Sequence, residues 1–227
     1  MKRTAYVFVH DHGHPKEKIL PIIPMMFDYD KWHVCVMDSI DSICMMTDAP
    51  DLIVTFKMAN SGLMDDEPNW YETSPFTYQW MKWVKENGTG LLVVHAGICF
   101  IPQEHPVMLL GVKGRFTGHP AMCPIHFEPV EGCTHPILEG IKPFTDDVDE
   151  HFQIADFKEN EVQVLGYTTS ESGGKQPSVW VNEYGAGRVA VILPGHANPA
   201  YEPFRNPYIN RMLQNAVRWC GQEDQEK

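Results

Sequence analysis

Residues 90–99 read Gly90-Leu91-Leu92-Val93-Val94-His95-Ala96-Gly97-Ile98-Cys99. Four consecutive apolar residues between glycines suit a strand buried on both faces, the pattern of a parallel sheet. The run ends in a tight turn of small residues with one polar side chain, His95, at the junction. In open α/β sheets ligands bind beyond the carboxyl ends of such strands, so His95 is expected at the floor of a crevice.

Upstream, residues 4–10 form a first strand rich in aromatic and β-branched residues. Pro21 and Pro24 break residues 16–27 into a short or interrupted helix. Trp32–Met37 and Leu52–Phe56 are further strands, with a short helix over Asp41–Met46. A longer helix runs from a Ser74 cap to Asn87, with Trp80, Trp83 and Val84 inward and Gly88 as its stop. Strand and helix alternate up to Gly90, which predicts βαβ units and a mostly parallel central sheet with helices on both faces. Downstream, strands are read at 124–130, 162–167, 178–184 and 188–193. The last two join through Tyr184-Gly185-Ala186-Gly187 as an antiparallel hairpin near the C-terminus. An amphipathic helix closes the chain over 208–220.

The 227 residues fit one domain spanning 1–227. Eighteen basic against 30 acidic residues give a net charge of -12, with no basic stripe to meet phosphates, so nucleic acid is not an expected partner. The Gly-x-Gly at 185–187 is turn chemistry with no helix after it, so no nucleotide cofactor is expected. Apolar runs stay short of a membrane span and the amino-terminal run is short for a signal peptide, so the expectation is a soluble, cytoplasmic protein. The six cysteines form no CxxC pair and are read as reduced thiols.

Histidines at 10, 12 and 14 follow the first strand at every second position. His95, His119, Glu150, His151 and His196 lie after other strands or in loops that cover strand ends. Imidazole and carboxylate are ligand types for zinc, manganese or iron, which polarise a carbonyl or activate water when a coordination position stays open. The metal ligands expected are His12, His14, His95 and His119; the alternative is a polar pocket in which histidines bind substrate hydroxyls. His33 and His126 are read as structural.

Five segments in order carry a resemblance: the Gly90-to-His95-Ala96 run; Gly114-Arg115-Phe116-Thr117-Gly118-His119-Pro120; Thr134-His135-Pro136-Ile137; Asp149-Glu150; and Gly187-Arg188-Val189 with Gly195-His196. Together they resemble the ThuA-like (trehalose utilisation) family over nearly the whole chain. The resemblance implies a fold like the class I glutamine amidotransferases and a place in sugar catabolism, often beside oxidoreductases that make 3-keto sugars. In the amidotransferase pattern a Cys stands at the elbow after the central strand; counted from Gly90 the elbow falls at Ala96, which has no nucleophilic atom. Cys99, three residues on, is the alternative nucleophile, and Asn60-Ser61-Gly62 falls where that fold places its oxyanion loop.

The mechanism expected starts from the acidity of the C–H beside a keto group. A base removes that proton, a metal or His stabilises the enolate, and the glycosidic oxygen leaves. The catalytic residues assigned are His95, Glu150 and His196, with Glu150 or His95 as base. Asn60, Arg115, His119 and Tyr201 are assigned to substrate, and Trp70, Tyr71 and Tyr201 are candidates to stack on a sugar ring. A non-catalytic sugar-binding or regulatory module with the same pocket is the second reading. Association into a homo-oligomer is also expected.

Overall fold

The computed structural model describes residues 2–11, 13–58, 74, 76–99, 107–196 and 206–223. Its centre is one nine-stranded sheet. The parallel half comprises β1 (Arg3–Phe8), β2 (Trp32–Met37), β3 (Leu52–Thr55), β4 (Gly90–Val94) and β11 (Gly187–Ile192). Beside it run β10 (Gly174–Tyr184), β9 (Gln163–Ser170), β6 (Cys123–Pro129) and β7 (Phe144–Asp149), so the order is β2-β1-β3-β4-β11-β10-β9-β6-β7. A separate two-stranded ribbon pairs β5 (Arg115–Gly118) with β8 (Gln153–Ala155).

Residues 90–94 form the strand expected, every residue buried, between β3 and β11. The expected mostly parallel sheet is corrected to a mixed one: the four pairings from β2 to β11 are parallel and the four from β11 to β7 antiparallel. The cause is the connections. Parallel neighbours need a crossover of a dozen or more residues, which the helix-bearing first part of the chain supplies. Among residues 123–192 the strands follow one another without an α-helix, so they turn back on their neighbours. The β10–β11 hairpin forms at the predicted Gly185-Ala186 turn.

Two apolar layers flank the sheet. One face packs Val7, Leu52, Val54, Leu92, Ala190 and Ile192 against α2 (Ile23–Met26) and α4 (Pro207–Cys220). The other packs Phe8, Ile53, Leu91, Val93 and Val191 against Trp80, Met81 and Val84 of α3 (Thr77–Asn87). Residues 16–27 give two single-turn helices, α1 (Lys16–Ile19) and α2, interrupted as the prolines require. The helix at 41–46 is a 3-10 turn, Ile40–Met45. Ser74 does not sit at the cap position of α3, which Phe76 occupies; its Oγ accepts the Phe76 N–H and donates to Asp41. Gly88, at φ 74°, ends α3 in the left-handed conformation that favours glycine. No described helix is long and apolar enough to cross a membrane, and all six cysteines are free.

Gly90 is required by close packing. A Cβ there would lie 2.2 Å from the Cys220 carbonyl oxygen, so β4 meets the end of α4 backbone to backbone. Gly90→Ala is expected to lower unfolding free energy by about 1–3 kcal/mol, read from the denaturant midpoint; an unchanged midpoint would contradict this packing.

Candidate metal centre

Four side chains meet where strands end at one edge of the sheet. The antiparallel half reverses direction four times between β11 and β7, so β7 again points the same way as β4 and β11. In a flat sheet, four strand spacings would put β7 about 19 Å from β11. Instead the Gly195 and His196 amides donate to the Asp149 carboxylate at 2.8 and 3.1 Å. The antiparallel half therefore curls back, and the end of β7 closes over the ends of β4 and β11.

His14, after β1, is buried and held by Asp11. The Asp11 carboxylate accepts from the Gly13 and His14 amides, both at 2.9 Å, from Met58 N at 3.0 Å, and from His14 Nδ1 at 2.6 Å. With its Nδ1 proton so engaged, His14 turns the lone pair of Nε2 inward. His95 follows β4 at φ 46°, a strained conformation for a residue other than glycine. The elbow counted to Ala96 thus falls at His95. Its Nδ1 donates to the Leu193 carbonyl at 2.7 Å, and its Nε2 also faces inward. His196 follows β11 and places Nδ1 3.2 Å from His14 Nε2 and 3.1 Å from His95 Nε2. Glu150, after β7, brings Oε2 to 3.3 Å from both His95 Nε2 and His196 Nδ1. One ligand atom from each of these four residues lies within 4.8 Å of the others, and the group can hold a metal ion.

The electrostatics favour positive charge at the cluster. Asp11 and Asp149 are almost fully buried, Glu150 is 15% exposed, and the nearby buried Lys57 donates from Nζ to the His10 carbonyl at 2.8 Å. Buried carboxylates thus outnumber the one buried ammonium around the cluster. Burial pushes the Lys57 ammonium down despite Asp11, Asp38 and Asp41. Without a metal, burial opposes a charge on His95, but Glu150 and Asp149 outweigh it and raise the imidazole. Burial likewise pushes Glu150 up, but the hydrogen bond and charge of His95, with His196 and His119, hold it down at about 2. Burial and the neighbouring His95 push His196 down to about 3. Asp149 is pushed up to about 6 by burial, against the attraction of His95 and the Gly195 amide. Glu150 and Asp149 thus favour positive charge at His95, the place suited to a cation. The donor set of three imidazole nitrogens and a carboxylate fits zinc, manganese or iron. Two of the imidazoles are oriented through their remote nitrogens, by Asp11 and by the Leu193 carbonyl, as bound histidines are.

Of the residues assigned from sequence, the structure brings together His14, His95, Glu150 and His196. His119, expected among the ligands, stands outside them: its Nδ1 donates to the Pro120 carbonyl at 2.8 Å and its Nε2 lies 3.5 Å from Glu150 Oε1. Arg115 pairs with Asp156 at 2.8 Å. His151 turns to Ser170 and Thr168, and His10 accepts the Lys16 amide. His12, Asn60-Ser61-Gly62, Trp70, Tyr71 and Tyr201 lie outside the described residues. Cys99 is a poor nucleophile here, because burial and the Asp11 and Glu150 carboxylates push its thiol well above the ordinary range. Sequence reasoning missed Asp11 and Lys57, and it singled out Asp149 only as half of the Asp149-Glu150 pair without a role. Asp11 left a local signal, an Asx turn two residues before Gly13, and Lys57 left none.

Beside the cluster, the Phe152 ring packs on His95 with centroids 4.2 Å apart and on Phe116 at 4.4 Å. Phe116 and His119 stack at 6.2 Å. The β5–β8 ribbon thereby sets an aromatic wall from the cluster toward the exposed His119.

The arrangement defines an α/β protein with a polar, metal-competent centre at the carboxyl ends of its sheet strands. The family model for ThuA, described as trehalose utilisation, matches residues 74–220, and the chain belongs to this family. No curated protein matches the chain. Among solved structures it is similar to a ThuA-like protein from Parabacteroides merdae, with TM-score 0.71 and 14% identity over 100% of this chain and 93% of that one. A ThuA-like protein from Bacteroides uniformis gives 0.71 and 17% identity, covering 96% of this chain and 91% of that one. A β-galactosidase from Rahnella sp. R3 matches 96% of this chain with 31% of its own, at TM-score 0.61 and 12% identity. At these identities the likeness is one of fold.

The neutral His196 gives a pH dependence with a defined sign. Its value falls from 6.5 to about 3 on folding, so its contribution to stability is present above pH 6.5 and is lost as pH falls toward 3. Asp149, raised from 3.8 to about 6, acts oppositely: its contribution is present below 3.8 and is lost as pH rises through 6. Comparison with His196→Gln isolates the histidine. Metal-free wild type is expected to lose more thermal stability between pH 7 and 4 than this variant; equal losses would contradict a neutral, desolvated His196.

Proposed function

We propose that the chain is a metal-dependent sugar-catabolic enzyme that cleaves a disaccharide, or an oxidised 3-keto sugar, related to trehalose. The observation that carries this reading is the convergence of His14, His95, His196 and Glu150 beside the buried carboxylates of Asp11 and Asp149. The family description supplies the substrate class. A divalent ion held there would polarise a carbonyl or activate water.

Ligation assigns the remaining roles. His95 and His196 turn their inward nitrogens to the cluster, which leaves neither as the base. Glu150 divides its carboxylate: Oε2 faces the histidines and Oε1 faces His119. His119, anchored through Nδ1 and a third exposed, carries the proton at Nε2 to or from the reacting C–H or the leaving oxygen, with Glu150 Oε1 holding that proton in place. Phe116 and Phe152 exclude water from one side and offer ring faces to the C–H face of a sugar. The small-molecule sugar is thus the partner, and the cytoplasm is the proposed location.

The test is turnover of trehalose and its 3-keto derivative by protein loaded in turn with zinc, manganese and ferrous iron. Wild type is expected to release glucose or its keto form, and His119→Ala to lower kcat by about 10²–10⁴. Glu150→Gln should lose metal and activity together. Full turnover by either variant would overturn the assignment.

A further inference from the structure

Glu150 and His196 come from strands that are not neighbours in the sheet, yet both must be set within tenths of an ångström for one ion. The side chain that joins them is Asp149. Its Oδ1 accepts the Glu150 amide at 2.7 Å and the His196 amide at 3.1 Å, and its Oδ2 accepts the Gly195 amide at 2.8 Å. The carboxylate is 1% exposed and lies at the end of β7, opposite Cys123 of β6. Gly195, at φ 118°, is in a conformation closed to most side chains, so the turn that delivers His196 needs an external tie.

We infer that Asp149 is a positioning residue, a clasp that fixes Glu150 and His196 relative to each other by binding the amides of both loops. The inference rests on the metal reading above for its consequence, but its hydrogen bonds are present in the metal-free protein. Burial of a carboxylate is costly unless its oxygens are hydrogen-bonded, and here three backbone donors offset part of that cost. Asp11 performs the equivalent service for His14 alone, through the Gly13, His14 and Met58 amides. The two aspartates together tie the loops after β1, β7 and β11 and leave His95 to the Leu193 carbonyl.

Asp149→Asn keeps the volume and replaces one acceptor oxygen with a donor. Two readouts separate the clasp from the metal. Amide exchange in the metal-free protein should speed at residues 150, 195 and 196 in Asp149→Asn but not in Asp11→Asn; unchanged exchange overturns the clasp whatever the metal does. Cobalt affinity, followed by its visible absorption, should fall about 10–100-fold in Asp149→Asn. The same substitution should have no further effect in a Glu150→Gln, His196→Gln background, because the ligands it positions are gone. An equal loss in that background, with weak residual binding through His14 and His95, would show a merely structural role and overturn the inference. Wild type that binds no cobalt fails the metal reading, and Asp149 is then judged by exchange alone. Asp149→Ala, checked for its folding transition, replaces Asp149→Asn should the latter not fold.

Discussion

The site rests on one electrostatic constraint: lone pairs and negative charge are concentrated where little water reaches. His14 and His95 spend their Nδ1 protons on Asp11 and on the Leu193 carbonyl, which leaves two Nε2 acceptors facing His196 and Glu150. A proton on His95 relieves part of this repulsion, which is why that imidazole rises while His196 falls. A divalent ion would relieve the rest and offset the buried carboxylate charge. Carboxylates are buried here because backbone amides pay part of their desolvation cost.

The fold supplies this constraint through its asymmetry. The parallel half gives three strand ends at one edge, carrying His14, His95 and His196, in the place where open α/β sheets bind ligands. The antiparallel half reverses four times and curls, delivering Glu150 to the same edge. The β5–β8 ribbon then lays Phe116, Phe152 and His119 along one side. Backbone strain stands at the site: His10, after β1, sits at φ 73° and His95, in the turn after β4, at φ 46°, and a Cβ on Gly97 would lie 2.3 Å from the Thr55 carbonyl oxygen. Close backbone contact between β3 and this turn holds His95 in an otherwise unfavourable conformation.

What the sequence made legible follows the range of the forces involved. The apolar run 90–94, the interrupted helix at 16–27 and the Gly185 hairpin depend on local pattern, and they appear where that pattern places them. His14, His95 and His196 were readable because each lies in the turn or loop after an apolar strand. Glu150 came from its motif, since β7, with three aspartates in six residues, does not read as a strand. The grouping of the four, the exclusion of His119 and the work of Asp149 depend on the curl of the antiparallel half. Curl is a property of the packed sheet and leaves no local trace. Lys57 belongs to the same class: nothing around it in the sequence marks it as buried.

The most direct test is the metal content of tag-free protein purified without chelator. The account predicts about one divalent transition ion per chain in wild type and its loss in His14→Ala and in His95→Ala variants that keep the wild-type fold. Metal absent from wild type, and not taken up on addition of zinc, manganese or ferrous iron, would contradict it. The histidines would then bind substrate directly, with the His95 proton as the cation of the site.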